Sequence, residues 1–435
     1  MSRTFILIFI LFASVEGYSQ DLSHVILKGL VIDDSTGEPI PYGSITLAGK
    51  SFSTLTNEEG RFIFKFRANT EKGSLLVTSV GYIPATIPIL LSDTGLKVIR
   101  MKLSYIILQD VMVRPVNPLM LIKKAIEKIP ENYPGTPYVL DGFYRLTGRR
   151  GDSIVHISEA VLQVYNGSYS RETKQFKVVR AREDRDHAAF DAIGNIDVGA
   201  RPVAIMNDDI VGSIDRGLLS EEGLHQHTFA YKGIVDYNGQ DAYVIKFDMK
   251  KGLTDPLYDG TIYLDVNSLA FLQVSAQADP EGLTYWRPGF DQRESLRLAG
   301  VKVRLLMDSG VTVYRKYGGR YYLSHIYGAA SWYIASRREH FEMAPLRTKF
   351  NYLVTAIDTG DVAGFKKEET YNEASRIESS APGRNTETTD AFWGDYNLIQ
   401  ADYNVDSAAK VIRSKNEAFD KEQMLSRHRP RHASK

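Results

Sequence analysis

The chain has 435 residues, enough for two or three domains with buried cores, and it is 43% hydrophobic and 24% charged, as expected of a folded protein. Its 53 basic and 53 acidic residues balance, so no overall field attracts nucleic acid or anionic lipid. The absence of cysteine excludes a disulfide framework, a thiol nucleophile and a lipid-modified cysteine anchor.

The N-terminus has the pattern of a secretory signal peptide. Arg3 gives a positive start, an apolar run follows over 5–13, and the small residues Gly17 and Ser19 on either side of Tyr18 suit a cleavage site. The apolar run is too short to span a bilayer. We therefore predict that residues 1–19 are removed and that no membrane-spanning segment remains, with an uncleaved signal anchor as the alternative.

About seven short strands are predicted between residues 22 and 105. Alternating stretches such as RFIFKF, in which Phe62, Phe64 and Phe66 share one face, are separated by turns rich in Gly, Pro, Asp and Asn. Such spacing is typical of a β-sandwich, whose two sheets bury alternate side chains against each other.

Within this region, Gly43 to Ser51 approaches a phosphate-binding loop without matching it. Five residues separate Gly43 from Gly49 before Lys50, whereas the motif requires four, and a helix must follow. The stretch that follows, FSTLT, is typical of a strand. We interpret the segment as part of the sandwich and not as a nucleotide site.

A linker with one helix is predicted over residues 106–136. Asn117 can cap the helix, Pro118 suits its first turn, and apolar residues recur at helical spacing over 118–129. The helix is expected to end at Pro130.

Residues 137–358 are predicted to form a larger, curved antiparallel sheet. Three pairs, Asn166-Gly167, Asn238-Gly239 and Gly318-Gly319, are typical of hairpin turns. The first pair also begins a glycosylation acceptor, but we interpret it as a turn. Together with the 25 tyrosines, these patterns predict a mainly β protein: a β-sandwich, a linker helix and a half-barrel-like sheet domain with a few helices.

Two stretches are harder to interpret. Residues 180–225 are rich in Asp, Gly and Ala and are expected to be an insertion with short helices. Residues 359–435 are predicted to contain a polar linker, a helix over 405–419 and a basic disordered tail, with the adjacent aromatics Phe392 and Trp393 in the stretch FWGDYN at 392–397.

His225 and His227 are the candidate metal ligands, because residues two apart on a strand share a face. Zinc needs a third protein ligand, for which His187 or Asp186 is possible but arbitrary. We predict no metal site.

His156 and Glu159 match the His-x-x-Glu pair of some zinc peptidases. Residues three apart on a strand point to opposite faces, so we interpret these two as surface residues. The adjacent carboxylates Asp208-Asp209 and Glu58-Glu59 should diverge. We therefore predict no catalytic residue and no cofactor.

An apolar face is predicted on two strands of the larger domain. Side chains two apart share a face, which collects six residues: Tyr243, Ile245, Phe247, Ala270, Leu272 and Val274. Such a face either holds an apolar ligand or packs against the protein's own helices.

The stretches GLVIDDSTGEPIPYGSITLAG, STLTNEEGRFIFKF and LLVTSVGY resemble the carboxypeptidase regulatory-like domain, a transthyretin-like sandwich. The resemblance covers about 27–103 and rests on Gly29, Thr36 to Pro39, Asn57 to Phe62 and Gly81-Tyr82. It implies a sandwich without catalytic residues, in an envelope protein of a Gram-negative bacterium.

Residues 231–252 and 258–277 resemble strands of half-barrel, lipoprotein-carrier-like periplasmic proteins. Together the two resemblances imply a non-enzymatic protein in the periplasm or at the outer membrane. We expect an interaction or scaffold module with an outer-membrane or cell-surface protein partner. The alternatives are a carrier of a lipid or other apolar ligand, and a hydrolase with an unrecognised site, in which Tyr285 and Trp286 would stack on a sugar.

Overall fold

A computed structural model describes nine stretches of the chain: residues 24–67, 73–89, 95–104, 117–168, 171–191, 209–336, 341–342, 345–371 and 389–427. The predicted signal peptide and the basic tail after residue 427 lie outside them. No helix in these stretches is both long and apolar enough to cross a membrane.

The N-terminal strands form two small sheets. Their bounds are β1 (His24–Asp33), β2 (Ser44–Leu47), β3 (Ser53–Leu55), β4 (Arg61–Arg67), β5 (Gly73–Thr78), β6 (Ala85–Ile89) and β7 (Lys97–Met101). One sheet has the order β4-β1-β7 and the other β3-β2-β5-β6. Their buried side chains form one cluster, which includes Phe62 and Phe64. The predicted sandwich is confirmed.

Glycines in the sandwich allow close packing. A Cβ atom on Gly29 would lie 2.2 Å from a ring carbon of Phe62, so only glycine leaves room for this core ring. Gly60 has a φ of +72°, and a Cβ there would lie 2.4 Å from the Val31 carbonyl oxygen. These motif residues therefore serve the architecture.

The stretch from Gly43 to Ser51 is a hairpin. The Lys50 N–H donates to the Leu47 carbonyl at 2.9 Å, and the Leu47 N–H donates to the Phe52 carbonyl at 3.1 Å. The strand β3 follows, and the helix that a phosphate-binding loop requires is not there. The interpretation as part of the sandwich is confirmed.

Two short helices, α1 (Pro118–Glu127) and α2 (Ile129–Asn132), precede the large sheet. The Asn117 side chain caps α1 as predicted, accepting from the Met120 N–H at 3.1 Å. The prediction of one helix ending at Pro130 is wrong, because the proline lies in the first turn of α2, where its missing N–H is not needed.

The large sheet has eleven antiparallel strands. Their bounds are β8 (Tyr138–Arg150), β9 (Ser153–Ser168), β10 (Arg171–Arg185), β11 (His227–Tyr237), β12 (Gln240–Met249), β13 (Tyr258–Asp265), β14 (Phe271–Ala278), β15 (Val301–Tyr317), β16 (Arg320–Ser336), β17 (Phe341–Glu342) and β18 (Leu346–Asp358). The order is β10-β9-β8-β18-β16-β15-β14-β13-β12-β11, with β17 beside β16. The predicted fold class is confirmed.

Two of the three predicted hairpin turns are confirmed. Asn238-Gly239 joins β11 to β12 and Gly318-Gly319 joins β15 to β16, and all four residues have positive φ. The turn predicted at Asn166-Gly167 is wrong. Asn166 is buried inside β9, paired with residues of both neighbouring strands, so ladder pairing overrides its local turn preference and hides it from glycosylation.

The large sheet has two faces that bury different partners. Its core face, which carries Tyr144, Leu162 and Ile245, packs against α1, α2 and a helical insertion. The described part of this insertion is residues 209–226. It contains 3-10 turns at Val211–Ser213 and Gly217–Leu219, and the helix α4 (Glu221–Gln226). A short helix, α3 (His187–Asp191), precedes it. The expected short helices are therefore present.

The outer face of the sheet holds the sandwich. The Ser53 hydroxyl donates to the Val354 carbonyl at 2.8 Å, and Leu55 packs with Leu353. The ring of Tyr42 stacks on His325, with centroids 6.0 Å apart. The sandwich thus packs on the sheet through β3 and Tyr42.

A C-terminal segment, residues 389–427, also covers the outer face. It contains α6 (Thr389–Trp393) and α7 (Val405–Arg427), so the predicted helix over 405–419 was too short. Trp393 is fully buried, edge-on to Phe143 with ring centroids 5.4 Å apart. The Asn397 side chain pairs with the edge strand β4, accepting from the Lys65 N–H and donating to the Lys65 carbonyl, each at 2.7 Å.

Candidate functional site

A row of small residues crosses the core face of the large sheet. Gly260, Ala276, Gly310 and Gly328 lie directly opposite one another on β13, β14, β15 and β16. We call them the small-residue row. Because adjacent strands normally fill a buried face with large side chains, this row leaves an unfilled strip in the sheet.

Two phenylalanines border the row. Phe247 lies opposite Gly260, and Phe350 lies opposite Gly328. A Cβ atom on Gly260 would lie 2.6 Å from the Phe247 ring, and a Cβ atom on Gly328 would lie 2.2 Å from the Phe350 ring. The rings therefore lie over the two outer glycines, as aromatic side chains often do over glycines in sheets. The middle of the row stays open, since a Cβ on Gly310 would meet only the Tyr327 carbonyl oxygen, at 3.6 Å.

The helical insertion forms the opposite wall. Its position is fixed by the buried Asp209, which accepts from the Tyr314 hydroxyl at 2.7 Å, while the Val211 N–H donates to the same hydroxyl oxygen at 3.0 Å. Between this wall and the row lies a cavity of about 590 Å³. Its apolar lining comprises Ile210, Leu218, Phe247, Pro256, Leu257, Val274, Ala276 and Phe350.

A small polar group faces this apolar lining. Asp308 lines the cavity and accepts from the Tyr258 hydroxyl at 2.7 Å. Burial raises the pKa of Asp308, although the bond from Tyr258 opposes this. The cavity therefore combines an apolar floor with the hydrogen-bonded carboxyl group of Asp308, and Arg216, Glu222 and Gln226 line its helical wall.

The two candidate metal histidines do not share a strand face, so that prediction is wrong. His225 is exposed in the last turn of α4, whereas His227 is buried at the start of β11. Ser220 ends the previous turn and caps α4, accepting from the Gly223 N–H at 3.0 Å. Both ring nitrogens of His227 already face carbonyl oxygens, Nδ1 that of Gly223 at 2.7 Å and Nε2 that of Tyr258 at 3.0 Å.

The suggested third ligands face the C-terminal segment. His187 lies 3.2 Å from Asp420, and Asp186 lies 3.7 Å from Lys415. Across the described stretches, no three His, Asp or Glu side chains are placed to hold a metal ion.

His156 and Glu159 are both buried, so their interpretation as surface residues is wrong. They lie on opposite faces, each with its own partner. His156 contacts Glu183 at 2.8 Å, and Glu159 accepts from Arg145 at 2.5 Å and from Arg182 at 2.6 Å. Both residues lie on β9, which has a neighbouring strand on each side and is covered on both faces. The local sequence does not show that both faces are covered.

The other predicted carboxylates and aromatics also have separate partners. Asp208 lies outside the described residues, and Glu58 and Glu59 diverge, to Lys349 and Arg61 respectively.

Trp286 packs edge-on against Trp332, with ring centroids 5.6 Å apart, while Tyr285 is exposed. The two side chains are therefore in different environments, one packed against a second tryptophan and one in solvent.

The predicted apolar face lies in the main core cluster. Five of its six residues are buried, and Tyr243 is partly buried: the buried ones are Ile245, Phe247, Ala270, Leu272 and Val274. Phe247 and Val274 line the cavity, whereas the other four pack in the cluster without lining it. A register shift in the β13–β14 pair places Phe271 opposite Leu264, which interrupts the predicted alternation.

Residues 27–113 match the family model of the CarboxypepD_reg-like domain. No curated protein matches the chain. Three solved structures are each similar over 57% of the chain. The first is a domain assigned to an outer-membrane lipoprotein-sorting protein from Vibrio parahaemolyticus, with 8% identity, 94% of that chain covered and a TM-score of 0.25. The others are a DUF1329 family protein from Desulfovibrio piger (10% identity, 96% of that chain, TM-score 0.26) and a LolA superfamily protein from Nitrosomonas europaea (7% identity, 96% of that chain, TM-score 0.18). The predicted resemblance of the N-terminal sandwich to the CarboxypepD_reg-like domain is thereby confirmed over residues 27–113.

Proposed function

We propose that the protein is a non-enzymatic carrier that holds a small apolar ligand in the cavity on the core face of the large sheet. The observation that supports this is the small-residue row. Protein interiors are close-packed, and an unfilled cavity destabilises a fold. A volume of about 590 Å³ lies in the usual range for small-molecule sites. A ligand that fills it would supply the contacts that Ala276 and Gly310, the two members of the row that line the cavity, do not.

The lining defines the class of ligand. Phe247, Val274 and Phe350 offer only apolar surface, so the body of the ligand is apolar. Asp308 and Tyr258 on the sheet, and Arg216, Glu222 and Gln226 on the helical wall, offer hydrogen bonds and charge, which suits a polar head group on that body. A lipid with one acyl chain has this composition. The signal-like N-terminus supports a site of action in the cell envelope, outside the cytoplasm.

Filling the cavity tests the proposal. Gly310→Leu should fold, because its φ is not positive and the space beside it is open, and should bind a fluorescent fatty-acid probe about tenfold more weakly or worse. Gly135→Leu is the matched control, since it makes the same change at an exposed position where a Cβ has nothing within 4 Å and which does not line the cavity. Absence of probe binding to the wild type, or equal binding by Gly310→Leu, would contradict the proposal. Native mass spectrometry of protein from envelopes should also show a co-purifying lipid.

A second candidate function, docking of a protein partner by the sandwich, is supported by its exposed sheet face. Ile26 and Val98 share the outer side of the β4-β1-β7 sheet and are 50% and 51% exposed. The full chain with both changed to serine should capture fewer crosslinked envelope proteins than the wild type. An unchanged set of partners would remove this candidate.

A further inference from the structure

The helix α5 (Phe290–Ala299) and the 3-10 turn at Gly282–Tyr285 carry an unusual exposed apolar surface. Phe290 is 70% exposed and Leu298 is 67% exposed, the two highest values among the large exposed hydrophobic side chains of the described residues. Scattered exposed apolar residues are normal, but two on one short helix beside the exposed Tyr285 form a patch.

The patch points away from the protein. Leu296 anchors α5 by packing into a small core cluster with Val301 and Ile334. At about 100° per residue, Phe290 and Leu298 lie roughly 120° and 160° around the helix from Leu296. The helix therefore buries one side and presents its two largest remaining apolar side chains to solvent.

The segment 285–304 carries more basic than acidic side chains, whereas Asp279 and Glu281 precede it. Residues 285–304 contain five basic and two acidic residues, a net charge of +3 in a chain whose total is zero. Arg293 lies over the Phe290 ring, 5.6 Å from its centroid, and Arg297 pairs with Glu294 at 3.0 Å. Exposed aromatic and aliphatic side chains among arginines are the composition of elements that lie in the headgroup region of anionic membranes.

The patch lies next to the cavity. The 3-10 turn packs on the segment before β13, since a Cβ atom on Gly282 would lie 3.1 Å from the Asp255 carbonyl oxygen and 3.3 Å from the Leu257 nitrogen. The Asp279 N–H also donates to the Leu257 carbonyl at 3.0 Å. Pro256, Leu257 and Tyr258 line the cavity. The 3-10 turn that precedes the patch thus packs directly on a segment that lines the proposed ligand site.

We propose that residues 285–304 form a docking surface for an anionic phospholipid bilayer, placed so that a docked molecule holds the rim of its cavity against the membrane. Phe290 and Leu298 enter the interface while the arginines contact the headgroups. The delivery of an apolar ligand across this rim rests on the proposed function, whereas the docking itself does not.

Vesicle co-sedimentation of the full chain tests the docking. The wild type should sediment with vesicles that contain phosphatidylglycerol and much less with pure phosphatidylcholine, and added salt should weaken the binding. Phe290→Ser combined with Leu298→Ser should weaken it by about tenfold or more, because it removes two buried apolar side chains from the interface. The matched control is Leu96→Ser with Leu425→Ser, which removes two leucines that are 59% and 63% exposed elsewhere.

The outcomes separate the two proposals. Gly310→Leu should sediment like the wild type while losing the fatty-acid probe. Failure of the wild type to sediment, or sedimentation of the Phe290 and Leu298 double variant at the wild-type level, would overturn the docking surface and leave the cavity proposal standing. A patch that binds only a protein partner would give no sedimentation, and so counts against the proposal.

Discussion

At the residue scale, Glu159 illustrates how a buried charge is retained. Burial alone would raise the pKa of this carboxyl, but the guanidinium groups of Arg145 and Arg182 together bring it below its usual value. Both bonds to the carboxylate are 2.6 Å or shorter, and all three side chains are buried. The charge is therefore stable only as long as both arginines stay in place.

We expect Glu159→Gln to destabilise the protein by about 3–5 kcal/mol, because two buried arginines would lose their counter-charge. Urea denaturation gives the free energy of unfolding. Asp248→Asn is the matched control: it breaks the exposed pair with Lys246, at 2.8 Å, and should change stability by about 1 kcal/mol or less. Similar effects for the two variants would show that Glu159 is not held as a buried ion.

At the element scale, the small-residue row shows what strand pairing adds to the sequence. Gly260, Gly310 and Gly328 look like isolated breaks when the chain is examined locally, and only the register across four strands aligns them with Ala276. The alternating strands, the Asn238-Gly239 turn and the helix cap at Asn117 were predictable because their causes lie within a few residues. Pairing between distant strands has no such local signal, and the bulge at β13–β14 shifts the pattern further.

The glycines of the row should respond differently to the same change. Gly328→Ala should destabilise by about 1–3 kcal/mol, because its Cβ would meet the Phe350 ring at 2.2 Å. Gly310→Ala should be neutral or stabilising by up to about 1 kcal/mol, because the space is open and the unfolded chain loses freedom. Thermal or urea unfolding compares the two variants. Equal destabilisation would mean that the middle of the row is not open.

At the scale of the whole molecule, the sandwich, the large sheet and the C-terminal segment meet at the outer face of the sheet. His325 is buried there beneath Tyr42, with Asn351 3.3 Å from its Nε2. Burial lowers the pKa of His325 to about 4. Its ordinary value is about 6.5, so the folded protein binds this proton less readily than the unfolded chain.

Lowering the pH should therefore reduce the free energy of unfolding of the protein. The stability linked to His325 is complete above about pH 6.5 and falls as the pH drops towards about 4, by roughly 3 kcal/mol in total. His325→Gln keeps a partner for Asn351 but does not titrate. Between about pH 7.5 and about pH 4.5, the wild type should lose roughly 2–3 kcal/mol more free energy of unfolding than this variant. An equal loss of free energy of unfolding in the wild type and the variant would show that His325 is not buried as described.

The bond between Asn397 and Lys65 joins the last part of the chain to one of its first strands. The ribosome synthesises β4 long before Asn397, which covers its edge. Trp393, which packs against Phe143, is synthesised equally late. The sandwich and the sheet already contact each other through Ser53 and Leu55, and Asn397 and Trp393 add their contacts after both have been synthesised. Until residues 389–427 are in place, the edge of β4 and the ring of Phe143 lack these two partners.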